Sequence, residues 1–311
     1  MTTDQPFVRA DVAQLLALLA QAPGPKMHEV DAPTARTMMR QMISLLERPA
    51  PALTVRRDLA IPGPAGDIPA RLYRAEATDG PGPVVTFFHG GGWVIGDLEV
   101  YDSLCAEIAR LTGLTVVSVD YRLAPEAPFP AAPEDALAAA RWVAGSPADI
   151  GHAVTAQVLA GDSAGGNLAA VVARETAGEI PLLAQWLIYP GVDMAAAGGS
   201  MAAFADGYLL TADSMRWFME QYRPDPAHPW ASPLKAERWV GLPPALVFTC
   251  ALDPLRDQGR AYAARLIETG HRVIYREAEG QIHGSMTLRG ALASAQADLE
   301  GQIADLKALM A

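Results

Sequence analysis

Residues 153–175 constrain the fold more than any other stretch. An apolar run, Ala153 to Ala160, leads into Gly161-Asp162-Ser163-Ala164-Gly165-Gly166, and a small-residue segment of helical character follows from Asn167 to Glu175. Strand, tight turn and helix in that order give the pattern G-x-S-x-G its meaning. Glycines at both flanks let backbone approach backbone through a sharp turn. Ser163 is then held at the apex with its hydroxyl pushed out of the sheet. The helix behind it aims amide groups and a positive dipole end at the same point. Taken alone, the stretch is equally a glycine-rich turn with an incidental serine, so its neighbours must decide.

The surrounding chain alternates strand and helix. A hairpin is expected over Leu53–Ile61 and Ile68–Arg74, turned by Pro62-Gly63-Pro64-Ala65-Gly66. Val84–Phe88 is a buried strand, Leu98–Thr112 a helix, Leu114–Val119 a strand and Pro133–Ala144 a helix. Beyond the serine turn, strands are expected at Leu182–Tyr189, Ala245–Leu252 and Arg272–Ala278. Helices are expected at Arg256–Thr269 and Leu288–Met310. Such alternation predicts an α/β fold with a mostly parallel central sheet and helices on both faces. Sites in these sheets lie beyond the carboxyl ends of the strands. At 311 residues, half of them hydrophobic, the chain suits one large core with an appended lid better than two equal domains.

Two segments stand outside the alternation. Residues 1–50 read as helices. Val12 to Ala22 is amphipathic, and Asp31-Ala-Pro-Thr34 caps a second helix whose Met38, Met39, Met42, Ile43, Leu45 and Leu46 form an apolar face. Methionine adapts to varied shapes, which suits a pliable lid. Residues 191–240 interrupt the strands with Trp217, Phe218, Tyr222, Trp230 and Trp239, a helix at Ala212–Tyr222 and a short flexible run, Ala195–Gly199. Insertions of this length usually serve function. The expected division is N-terminal cap helices over 1–50, a catalytic body over 51–190 and 241–311, and a cap insertion over 191–240.

The net charge of −11 disfavours nucleic acid and anionic membrane as partners. No apolar run approaches the roughly 20 residues of a membrane span. The ending Ala20-Gln21-Ala22 mimics a signal-peptidase site, but Asp4 and Asp11 outweigh Arg9 before and within the run, whereas export signals begin basic. Cys105 and Cys250 read as buried small hydrophobes, and the expected location is cytoplasmic.

Three further positions add chemistry. Phe88 ends a strand and His89-Gly90-Gly91-Gly92-Trp93 follows, exposing amide groups that suit a developing oxyanion. A phosphate cradle would need G-x-x-x-x-G-K-[ST] or G-x-G-x-x-G, and neither is present. Asp253 closes a strand ahead of Pro254. Asp257, one turn further, is expected to cap or to pair with Arg256 or Arg260. His283 follows the last strand between Gly280 and Gly284. The chain order Ser163, Asp253, His283 is that of α/β-hydrolase triads. His28 and His228 lie in Pro-flanked lid segments, His152 at the wrong end of the serine strand, and His271 in a helix-to-strand turn. His89 is expected to brace the glycine loop.

With these residues in view, positions 84–311 resemble the hormone-sensitive-lipase-like, bacterial family IV esterases of the α/β-hydrolase fold. His89-Gly-Gly-Gly92, Tyr121-Arg-Leu-Ala-Pro-Glu126, Gly161-Asp-Ser-Ala-Gly165, Asp253-Pro-Leu255 and His283-Gly284 carry the likeness in order. It implies Ser163 as nucleophile, His283 as base, Asp253 as its orienter, and an oxyanion hole drawn from Gly90, Gly91, Gly92 and Ala164. It also implies a helical cap, a small-molecule ester substrate of short to medium chain, no metal or organic cofactor, and a dimer through the final strand and helix. Family members often carry an aromatic residue after the His-Gly pair; Ser285 stands there, which bears on pocket width. A non-catalytic receptor on the same fold, like the plant gibberellin receptors, lacks the histidine present here. An amidase or a lactonase would use the same triad.

Overall fold

The computed structural model of the chain describes residues 6–21, 24–77 and 80–311. Asp4 and Ala22, used above to weigh an export signal, lie outside the described residues.

In chain order the elements are α1 (Ala10–Ala20), α2 (Ala32–Leu46), β1 (Val55–Gly63), β2 (Gly66–Arg74), β3 (Gly82–Phe88), α3 (Asp102–Thr112), β4 (Thr115–Val119), α4 (Ala131–Ala144), β5 (Val154–Asp162), α5 (Ala164–Glu175), β6 (Leu182–Ile188), α6 (Gly199–Ala203), α7 (Ala212–Tyr222), β7 (Ala245–Leu252), α8 (Arg256–Glu268), β8 (Val273–Ile282) and α9 (Ala293–Met310). The strands form one eight-stranded sheet in the order β1-β2-β4-β3-β5-β6-β7-β8. Only β2 runs against its neighbours; β4 through β8 are parallel. The central strands are buried over their carboxyl-terminal five residues, as expected of strands covered on both faces.

This topology positions the site. The chain leaves β3 outward to β4 and returns to β5 on the other side, so β3 and β5 flank the point where strand order reverses. Crevices at such points open beyond the carboxyl ends. Phe88 pairs with Gly161, which brings the segments after β3 and β5 to one level. On the far side Leu252 pairs with Ile282, so Asp253 and His283 leave the sheet side by side.

Several expected boundaries shift, each for a local reason. The final helix begins at Ala293, not Leu288. Residues before it are drawn onto the end of α2, where the Ala291 amide donates to the Leu46 carbonyl at 2.8 Å and a Cβ on Gly290 would sit 2.6 Å from that same oxygen. The third helix begins at Asp102, not Leu98, because residues 98–101 form turns, with Asp97 Oδ1 accepting the Val100 amide at 2.9 Å. The serine helix begins at Ala164, directly after Ser163. The run expected to be flexible ends in α6, where buried Ser200 donates to the Pro254 carbonyl at 2.7 Å and its amide donates to Asp257 at 2.8 Å. Leu45, expected on the apolar face of α2, is exposed, while Met39 and Ile43 are buried. Asp31 caps that helix through the Thr34 amide at 2.9 Å.

The N-terminal helices are fastened to the body by polar groups as well as by packing. Arg36 donates to the Val94 and Ala124 carbonyls and pairs with Glu126 at 2.7 Å. Arg289, 1% exposed, pairs with Glu47 at 3.0 Å and donates to Ser103 at 2.9 Å. Both cysteines are buried and free, and burial pushes the Cys105 thiol up to about 12. Among the described residues no helix is long and apolar enough to cross a membrane.

Candidate active site

The serine turn is built as tightly as its glycines suggest. A Cβ on Gly165 would fall 1.9 Å from the Phe88 carbonyl oxygen, and one on Gly161 would fall 2.4 Å from the Gly165 backbone. Only glycine permits that approach, which seats the start of α5 against the end of β3. Ser163 itself takes φ 54°, ψ −116°, a costly conformation for a residue with a side chain. Surrounding bonds enforce it: its amide donates to Ile188 at 2.8 Å, and its carbonyl accepts from Asn167 at 3.1 Å and Gly191 at 3.2 Å.

Asp253 and His283 meet because β8 carries extra residues. Cys250 pairs with Ala278 but Leu252 pairs with Ile282, so β8 bulges around Gly280, which has φ +68°. The bulge advances His283 to the place beside Asp253. The N-terminal segment covers it: the Arg9 amide donates to the Gly280 carbonyl at 3.2 Å and its guanidinium to Glu279 at 2.7 Å.

The result is a continuous polar chain. Asp253, fully buried, accepts the Leu255 amide at 2.8 Å through Oδ1 and faces His283 Nδ1 at 2.8 Å through Oδ2. A carboxylate only accepts, so Nδ1 carries the hydrogen and Nε2 is left as an acceptor. Ser163 Oγ lies 2.9 Å from that Nε2. The Tyr189 ring packs on the imidazole with centroids 4.6 Å apart. Asp257 does what its position predicts, pairing with Arg256 at 2.9 Å and Arg260 at 3.2 Å.

The glycine loop holds one correction. The Gly90 amide is engaged, donating to Asp162 Oδ1 at 2.7 Å with Tyr101 Oη at 3.0 Å, so Gly90 leaves the set of available donors. The amides of Gly91, Gly92 and Ala164 donate to no protein acceptor among the described residues. His89 braces the loop: Nδ1 donates to the Gly90 carbonyl at 2.8 Å and its ring stacks on Tyr121 at 4.3 Å. The other histidines stand elsewhere, His28 beside Ser214, His152 beside Thr115, His228 against Phe129 and Trp230, and His271 beside Thr269. Ser285 is fully buried with its hydroxyl 3.8 Å from Cys250 Sγ, so it packs behind the histidine loop.

Two side chains of residues 191–240 reach the loops around Ser163. The Phe218 ring lies against Gly92, and Leu209 lies beside Gly284. Trp93 stacks on Tyr222 with centroids 4.4 Å apart and planes 2° from parallel. Cavities of about 520 Å³ between α2 and α3 and about 160 Å³ between α6 and α8 do not include Ser163 in their linings. Asp162, Tyr101 and Tyr189 are polar partners that sequence reasoning passed over. The available signal was an acidic residue ending an otherwise apolar buried strand.

The arrangement sets a serine hydroxyl within hydrogen-bond distance of an imidazole and beside free amides, a geometry that could serve acyl transfer. The sequence pattern of the α/β hydrolase fold family matches residues 85–287. The chain belongs to that family, in its hormone-sensitive-lipase-like branch. This α/β-hydrolase is 44% identical over 270 residues to the carboxylic ester hydrolase LipN of Mycobacterium tuberculosis, covering 83% of this chain and 71% of that one. It is 35% identical to an ethyl acetate hydrolase of Pseudomonas putida, across 91% of each chain. A solved hyperthermophilic esterase from the archaeon Pyrobaculum calidifontis superposes with a TM-score of 0.91 at 38% identity, covering 99% of this chain and 100% of that one.

Proposed function

We propose that the chain hydrolyses carboxylic esters of short to medium acyl chain through an acyl-enzyme on Ser163. The esterase class rests on the relatives named above; the mechanism rests on one observation, the unbroken contact from Asp253 through His283 to Ser163.

In this reading His283 Nε2 takes the Ser163 proton as Oγ attacks the ester carbonyl. The carbonyl oxygen gains negative charge and is held by the free amides of Gly91, Gly92 and Ala164, the last reinforced by the N-terminus of α5. Asp253 keeps Nδ1 protonated and stabilises the imidazolium. His283 returns its proton to the leaving alcohol, then activates water, which releases the acid and restores Ser163. The N-terminal helices and residues 191–240 act as the cap, and the aromatic residues of the insertion favour apolar substrate groups. No step calls for a metal or an organic cofactor.

A chain-length series of nitrophenyl esters on the parent and on Ser163→Ala tests this. The parent should show a burst of nitrophenol and a preference for shorter chains, and Ser163→Ala should lose both. Equal turnover in Ser163→Ala would sink the mechanism, and binding without turnover in the parent would favour the receptor reading. Anilide or lactone analogues turned over faster than esters would move the substrate class.

A further inference from the structure

Asp162 lies inside the serine motif, yet the mechanism above does not use it. It ends β5 and is 2% exposed. Oδ1 accepts the Gly90 amide at 2.7 Å, and Oδ2 accepts the Tyr101 hydroxyl at 3.0 Å and the Tyr189 hydroxyl at 3.3 Å. Each hydroxyl takes a backbone amide in return, Tyr101 that of Gly90 at 3.0 Å and Tyr189 that of Met286 at 3.4 Å. Gly90 opens the run of glycines whose later amides are free. Met286 closely follows His283, and the Tyr189 ring packs on the His283 ring. One carboxylate therefore reaches the glycine loop and the histidine loop, directly or through a single hydroxyl, and its residue directly precedes Ser163 in the chain.

We propose that Asp162 is a positioning residue for ester hydrolysis, clasping the glycine loop and the histidine loop to the serine turn. The proposal rests on the esterase reading.

The chemistry requires a carboxylate. Both its oxygens only accept, so each tyrosine hydroxyl must point its hydrogen inward and keep its lone pairs for the backbone amide behind it. A carboxamide brings one acceptor and one donor. With its oxygen toward Gly90, its NH2 faces two hydroxyls whose hydrogens lose their acceptor; turned over, two donors confront each other at Gly90. Either orientation breaks one branch. Gly90 is glycine for the same reason, since a Cβ there would lie 2.6 Å from Asp162 Oδ2 and 2.8 Å from Tyr101 Oη. Burial pushes the Asp162 carboxyl above the usual carboxylate range, while the Tyr101 hydroxyl, His283, His89 and the Gly90 amide pull it back. A buried acid with no arginine partner is costly to keep. Loops held within tenths of an ångström offset that cost, because misplacement by about 1 Å can slow turnover about a hundredfold.

The test uses Asp162→Asn, Tyr101→Phe and Tyr189→Phe in the full chain with nitrophenyl butyrate, counting functional sites with a nitrophenyl phosphonate. Per titrated site, Asp162→Asn should lower kcat about tenfold to a hundredfold with KM within about threefold. Each tyrosine variant should cost less, and adding Tyr189→Phe to Asp162→Asn should cost no more, because both sever one network. If Asp162→Asn does not fold, the two tyrosine variants carry the test. Per-site kcat within about twofold of the parent, or a loss lying wholly in KM or in the number of titratable sites, overturns the proposal. A parent chain with no burst and no turnover overturns the esterase reading together with this one, an outcome distinct from an active parent with indifferent variants.

Discussion

The Phe218 ring stands so close to Gly92 that a Cβ built on Gly92 would fall 2.4 Å from its Cγ. Phe218 belongs to α7 in the insertion and Gly92 to the glycine loop, so one contact joins the proposed cap to the proposed oxyanion donors. Truncating this ring should lengthen the accepted acyl chain. For Phe218→Ala the ratio of kcat/KM for nitrophenyl octanoate over acetate is expected to rise about tenfold, the scale of one or two methylenes in an apolar pocket. An unchanged ratio would place the pocket elsewhere.

Asp253 has no solvent to replace it. It is fully buried, with one oxygen on the Leu255 amide and the other on His283. Asp253→Asn should leave the fold intact and lower kcat by roughly three to four orders of magnitude through the wrong imidazole tautomer. Steady-state kinetics check this, and a loss under tenfold would remove Asp253 from the proposed triad.

Gly165 and Gly166 limit folding as well as chemistry. A Cβ on Gly165 meets backbone at 1.9 Å, which cannot yield, while one on Gly166 meets Pro190 Cβ at 2.9 Å. Gly166→Val should destabilise by about 1 to 3 kcal/mol through overpacking, and Gly165→Ala by more. Thermal melts indistinguishable from the parent would refute the packing argument.

Arg9 braces the bulge that advances His283. Its guanidinium donates to the Glu279 carbonyl at 2.7 Å and pairs with Asp298 at 2.6 Å, while its backbone amide holds the Gly280 carbonyl. Arg9→Ala is expected to lower kcat severalfold with KM little changed, and to cost about 1 kcal/mol of stability. A change confined to the melt would mean that the bulge holds without it.

Asp162 also gives the molecule a pH signature. Burial raises its pKa in the folded state, so the folded chain binds this proton more tightly than the unfolded chain. The stability it contributes is fully present below the unfolded value and is lost as pH rises through the raised one. Asp162→Asn cannot titrate. Melts of both proteins from pH 4 to pH 7 should show the parent gaining on the variant as pH falls; the opposite slope would contradict the sign of the shift.

The sequence alone determined the alternation that makes a parallel sheet, the glycine turn that exposes Ser163, and the chain order of Ser163, Asp253 and His283. These are local: hydrophobic period, glycine spacing and strand ends all lie within a few neighbouring residues. Tertiary structure decided the rest. Which glycine amide is already taken depends on Asp162 and Tyr101, remote from Gly90 in the chain. Where His283 stands depends on a bulge in β8 that no periodicity marks, and the final helix starts late because residues before it are held by Leu46 from α2. A hydrogen bond or a close contact between distant segments is set by how packed elements meet in space, and sequence spacing carries no record of that meeting.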